Sequence, residues 1–178
     1  NPMAPVFNMS VGDLADRMAK VTRLSMTFHA RQLRAQIREG ALTSPVRGGG
    51  GLTAPTLFDE TGLARAMVLH TLAMMGLEMP ILRQASSASE VVDPKARKGD
   101  VVEPGEGMAL TLSRLRADPN AKIYLQLSLS EWPGDDGDLS LGGWVSNSAT
   151  PAENPAAPPL AMIVLPLHSI LKPVLGLA

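Results

Sequence analysis

The sequence contains no cysteine. Disulfides, thiolate zinc sites and thiol redox sensing are therefore excluded. Aromatic residues are scarce: three Phe, two Trp and one Tyr. The core must rely on aliphatic side chains and on ten methionines, whose flexible thioethers fill irregular gaps. No basic region followed by an apolar run opens the chain, so no signal peptide is expected. The only long apolar stretch, residues 160–178, is barely long enough to span a bilayer. It is interrupted by Pro166, His168, Lys172 and Pro173. A core strand and a short helix are expected there, not a membrane span, and the expected location is cytoplasmic.

Signatures of catalysis are missing too. There is no Gly-x-Ser-x-Gly elbow, and the three histidines have no metal-ligand spacing. Asp135, Asp136 and Asp138 lack the remaining ligands of a calcium loop and read as a solvated turn. The glycines at 48–51 are followed by Leu52-Thr53-Ala54-Pro55, whereas a nucleotide-binding P-loop needs Lys-Ser/Thr and a helix start. The expectation is a protein that is not an enzyme and holds no cofactor or metal.

What is present is an uneven charge. Residues 1–98 carry 12 Lys+Arg and 8 Asp+Glu, while residues 99–178 carry 4 and 9. Between residues 17 and 47 stand Arg17, Lys20, Arg23, Arg31, Arg34, Arg38 and Arg47, against the single acid Glu39. Such an excess is the footprint of a phosphate-binding surface, or else of a solvated helix face.

Periodicity and caps give the elements. Ser10 and Asp13 have capping-box spacing, and Val11, Leu14, Ala15 and Met18 form one helical face. A second helix is expected from after Thr27 to Glu39, closed by Gly40. Its apolar stripe is Ala30, Leu33 and Ile37. Arg31, Arg34 and Arg38 occupy one flank, and His29, Gln32 and Gln36 the other. Ordinary exposed helices mix charge signs; this one lacks acids until its end. A glycine-rich hairpin after a basic helix suits the wing of a winged helix. Asp59 would cap a third, well-buried helix of residues 60–75, ended by Gly76. Pro80 fits the first turn of a fourth. Residues 87–107 read as a linker, with a short strand near residues 90–92. From Met108 the pattern reads as β: Met108, Leu110, Leu112 and Leu115 nearly alternate. Ile123, Leu125, Leu127 and Leu129 alternate strictly, the Asp-rich turn follows, and Leu139, Leu141 and Trp144 return. Residues 146–159 form a Pro/Ala-rich loop. A last strand at residues 161–165 and a helix at 167–175 close the chain.

In order, these pieces resemble the MerR-type regulators. Ser10-Val11-Gly12-Asp13-Leu14-Ala15 looks like that family's opening helix. Leu33-Arg34, Arg38-Glu39-Gly40-Ala41-Leu42, Pro45 and Arg47 look like the end of its recognition helix and the start of its wing. Phe58-Asp59-Glu60 resembles the wing's end, and Met75-Gly76-Leu77 with Ile81 the turn into a fourth helix. The match covers residues 9–85. It differs in three respects: a longer segment between the first two helices, no Arg before the wing aromatic, and no long heptad helix after the domain.

The resemblance implies an α+β chain with four parts. These are a flexible lead-in at residues 1–9, a winged helix-turn-helix DNA-binding domain at 10–86, a linker at 87–107, and a β-rich C-terminal region at 108–178 for dimerisation or effector binding. In such a domain the second helix lies in the major groove. His29, Arg31 and Gln32 are the expected base readers. Arg34 and Arg38 would read bases or grip phosphates. Lys20, Arg23 and Arg47 suit phosphates. Tyr124, Trp132, Trp144 and His168 would line a small pocket or, the plainer alternative, plug the β core. The expected function is a sequence-specific double-stranded-DNA-binding transcription repressor that dimerises through its C-terminal region. The alternatives are an excisionase-like architectural DNA binder of a mobile element, and an antiactivator-like protein-interaction module with a protein partner.

Overall fold

The computed structural model describes residues 6–44, 46–48, 54–92, 107–131, 139–150 and 159–177. Pro45, Gly49 to Thr53, linker residues 93–106, Trp132, the Asp135–Asp138 turn and loop residues 151–158 lie outside the described residues.

Polar caps set the first three helices. Ser10 Oγ accepts from the Asp13 N–H at 3.3 Å, and Asp13 Oδ2 accepts from the Ser10 N–H at 2.7 Å, a reciprocal capping box. Helix α1 (Val11–Val21) follows, burying Leu14, Ala15 and Met18. Ser25 caps α2 (Met26–Arg38) by accepting from the Phe28 N–H at 3.2 Å. This helix starts before Thr27, so the connection from α1 is only residues 22–25, shorter than the sequence suggested. Gly40 closes α2 with φ +74°, a left-handed conformation that favours glycine. The Ala41 and Leu42 N–H groups then return to the Gln36 carbonyl at 2.8 and 3.1 Å.

Strands β1 (Val46–Arg47) and β2 (Thr56–Leu57) pair antiparallel, Val46 with Leu57 and Arg47 with Thr56. Met9 and Phe58 exchange backbone hydrogen bonds at 3.0 and 2.8 Å beside them. Met9, the last residue of the expected flexible lead-in, is buried in the core. Asp59 caps α3 (Glu60–Met74) through the Gly62 N–H at 2.8 Å. This helix is apolar around most of its circumference, so it must be enclosed. It is the hub of the fold, packed by α1, by α4 (Met79–Ala88, with Pro80 in its first turn), by α5 (Gly107–Ala117) and by α6 (Leu167–Leu175).

Helix α5 corrects the sequence reading, which placed β structure there. Its buried positions are Met108, Thr111, Leu112 and Leu115, spaced i, i+3, i+4, i+7. The polar Thr111 concealed that period. Its hydroxyl donates to the Gly107 carbonyl at 2.9 Å, which satisfies it inside the core.

The C-terminal strands lie close to where the sequence places them, β3 by its alternation, though Trp144 falls on the opposite face from Leu141. β3 (Tyr124–Glu131), β4 (Leu139–Ser146) and β5 (Ala161–Pro166) form an antiparallel sheet in the order β4-β3-β5. Leu125, Leu127, Leu141, Val145 and Leu165 share its buried face. Helices α4 and α5 pack on β4, and α6 packs on β3. On the other face, Gln126 Nε2 donates to the Ser148 and Thr150 carbonyls at 2.7 and 3.0 Å.

The chain is thus α+β, with six helices and two small antiparallel sheets among the described residues. Its buried apolar side chains form one cluster running from Leu14 and Leu69 to Leu125 and Leu171. Among the described residues, no helix is long and apolar enough to cross a membrane.

Candidate nucleic-acid interface

Helix α2 divides into two chemically distinct sides. Its inner side buries His29, Ala30, Leu33 and Gln36. Its outer side exposes Arg31, Arg34 and Arg38. Spacings of three and four residues put these arginines on one stripe. Among the described residues no carboxylate pairs with Arg31 or Arg34. Arg38 Nε donates to Glu39 Oε1 at 3.2 Å, an exposed pair of the kind worth little.

The stripe borders an open cleft of about 360 Å³. Arg34, Ile37 and Arg38 form one wall; Ser10, Val11 and Gly12, at the start of α1, form another; Pro55 and Thr56 close the third side. A helix start presents backbone N–H groups and a partial positive charge. Hydrogen bonds from the Ser10 hydroxyl and N–H hold the Asp13 carboxyl below the usual carboxylate range, so it stays an anionic cap on that helix. Arg47 stands opposite Thr56 in the β1–β2 pair. The cleft is lined mostly by apolar surface, with the Arg34 and Arg38 side chains on one wall.

The inner side of α2 corrects two expected base readers. His29 is fully buried, and its Nε2 shares a hydrogen bond with Thr22 Oγ1 at 2.6 Å. Its ring lies edge-on to His70, with centroids 4.8 Å apart. Burial lowers the pKa of His29. His70 is lowered to about 4, first by burial and then by the charge of His29. Both rings are therefore neutral at pH 7. Gln32 is half-buried, and its Oε1 accepts from His70 Nδ1 at 2.8 Å. His29 and Gln32 thus tie α2 to α3, and the stripe that could touch a base is Arg31, Arg34 and Arg38.

The other expected residues divide in the same way. Arg47 is exposed beside the cleft. Lys20 is exposed, ion-paired with Asp16 at 2.6 Å, and Arg23 is exposed in the turn after α1. Lys20 stands nine residues along α1 from Val11, roughly 14 Å along the helix axis, and Arg23 follows the end of that helix. Sequence reasoning missed the participation of Ser10, Val11, Gly12 and Thr56. The capping box was the available signal, because it fixes a helix start beside α2. Gln36, which the sequence places on the polar flank, is instead buried, its two amide atoms enclosed without a partner among the described residues.

In the C-terminal half, His168 Nδ1 lies 2.9 Å from the Ile123 carbonyl, and its ring meets Tyr124 edge-on with centroids 5.2 Å apart. These groups serve packing between β3 and α6. Among the described residues no cluster of three His, Asp or Glu side chains is placed to hold a metal ion. No known protein family matches this sequence, and no curated protein is detectably similar to it.

Proposed function

We propose that this chain binds double-stranded DNA as a MerR-like winged helix-turn-helix protein and acts as a sequence-specific transcription repressor. The observation that carries this reading is the exposed arginine stripe of α2, set between the α1 start and the β1–β2 pair. In this reading α2 enters the major groove and β1–β2 is the wing. Arg31 reads a base, its guanidinium donating two parallel hydrogen bonds to guanine O6 and N7. Arg34, Arg38 and the N–H groups at the start of α1 hold a backbone phosphate. Arg47, Lys20 and Arg23 add phosphate contacts at the margins. The sequence after this domain carries no heptad pattern, which favours repression by occupancy over activation by DNA untwisting.

The test is a salt series of binding to random duplex DNA. Affinity should fall steeply with salt, with a log–log slope of about −0.9 per phosphate neutralised. The double variant Arg31→Ala/Arg34→Ala should lose most of the affinity while its circular dichroism stays unchanged. Absence of salt-dependent binding near ~50 mM salt, where phosphate contacts are strong, retires the proposal.

A second reading, a protein-interaction module, draws support from a separate patch. Phe28, Met74 and Met75 are 40%, 58% and 54% exposed. The Phe28 ring stands 6.4 Å from His70, one turn before Met74, so the start of α2 and the end of α3 share an apolar surface. If DNA binding fails, this patch is where a protein partner would dock.

A further inference from the structure

Among the described residues, the three-stranded sheet has one covered edge and one unpaired edge. On the β4 side, the Val145 N–H donates to the Val91 carbonyl at 2.7 Å, and the Leu141 N–H donates to Gln84 Oε1 at 2.5 Å. Helix α4 and the chain after it therefore close that edge. No described segment pairs with the outer side of β5.

The register tells which groups β5 leaves open. The N–H groups of Leu141 and Val145 point away from β3, so the even-numbered residues of β4 bond to β3. The even-numbered residues of β3 face β4, and Leu125, Leu127 and Leu129 face β5. Their β5 partners are Leu165, Ile163 and Ala161. Met162 and Val164 must then present their N–H and C=O groups outward. A bulge bounds the strand at one end, where the Leu160 N–H also donates to the Leu129 carbonyl at 2.8 Å. Pro166 bounds it at the other. Between them the strand carries no charge, no proline and no bulge, the devices that normally blunt an edge.

We infer that the outer edge of β5 is a self-association surface, and that its partner is β5 of a second copy, paired antiparallel about a two-fold axis through Ile163. The segment is self-complementary in this register. The Met162 N–H meets the Val164 carbonyl of the second copy, the Val164 N–H meets the Met162 carbonyl, and the axis repeats both bonds. Ile163 faces Ile163 as a non-hydrogen-bonded pair, and Met162 faces Val164. Every cross-strand pair is apolar, so identical copies meet without like-charge repulsion. Pro166 lacks an N–H and ends the ladder without leaving a donor unmet. The two sheets become one six-stranded sheet with β4 at both outer edges. The inference concerns the C-terminal half and stands whether or not the chain binds DNA.

The test is the mass of the full chain in solution at micromolar concentration, by sedimentation equilibrium. The wild type should be dimeric. Val164→Pro removes two of the four bonds at a position whose N–H faces outward, and should weaken association by at least about tenfold. Met162→Lys, which places a charge at the edge, should do the same with unchanged circular dichroism. A monomeric wild type overturns the inference. So does a dimer that survives both variants with the fold intact. Should either variant fail to fold, amide exchange in the wild type decides. Met162 and Val164 amides should be protected in concentrated solution and exchange quickly on dilution. Protection independent of concentration would assign the edge to a segment of the same chain instead.

Discussion

His29 and His70 show how a single residue's role turns on which way its helix faces. A histidine in a basic helix invites a reading as a base contact. Its neighbours decide otherwise: Leu33 lies four residues on and Gln36 seven, and all three point inward. The arginines were legible because a folded core does not tolerate three cations on one helix face without buried counter-charges. The histidine and glutamines were not, because those side chains suit either surface. Two buried neutral imidazoles have a consequence for pH. His70 has its pKa lowered to about 4 from the ordinary 6.5. Between these values the unfolded chain binds a proton that the folded chain does not, so stability rises with pH across that window. The urea midpoint should be flat above about pH 6.5 and fall as the pH drops toward 4. The loss should be on the order of 2 kcal/mol, less than the full shift because water screens part of the ring. In His70→Asn the fall across this window should shrink. An identical pH profile in wild type and variant would place the titrating group elsewhere.

Elements announced themselves in the sequence where a cap and a period agreed. Helix α1 had both, through Ser10 with Asp13; α3 had its cap in Asp59 and a largely apolar run in place of a one-sided period. Strand β3 had strict alternation of leucines, and β5 and α6 followed from a short apolar run and its break. Helix α2 had a good period but two hydroxyl residues near its start, and Ser25 rather than the later Thr27 takes the cap. Helix α5 had neither signal in plain form. Glycine stands at its first residue, and the buried Thr111 breaks the apolar series that would have shown the 3.6-residue repeat. Where the cap is explicit it can be tested. Ser10→Ala removes the acceptor for the Asp13 N–H and should cost about 1 kcal/mol in chemical denaturation. Ser10→Asn, which can still cap, should recover most of it. Because Ser10 also lines the cleft beside Arg34 and Arg38, the alanine variant should lower DNA affinity under the proposed function. Wild-type stability in the alanine variant would show that the capping box contributes nothing measurable.

At the scale of the whole molecule, sequence composition suggests two parts: a basic half and an acidic half, with a polar stretch between them. The packing joins them. Helix α3 of the first half touches α5 and α6 of the second, and α4 lies along β4. Arg116 on α5 forms an ion pair with Glu60 on α3, so opposite charges meet across the division. A sequence read along the chain has no access to such contacts, because they link residues far apart and leave no periodic trace. Joined cores predict joined unfolding. Both tryptophans, Trp132 and Trp144, lie in the second half, whereas α1 to α4 supply most of the helix. Fluorescence therefore reports the second half, and far-ultraviolet circular dichroism is weighted toward the first. In urea the two signals should give one coincident transition. If fluorescence instead changed at a lower urea concentration than circular dichroism, the β-rich half would be opening while the helical half stayed folded. The interface of α3 with α5 and α6 would then be too weak to couple them, and a rearrangement at the β5 edge could not be transmitted to α2 through that core.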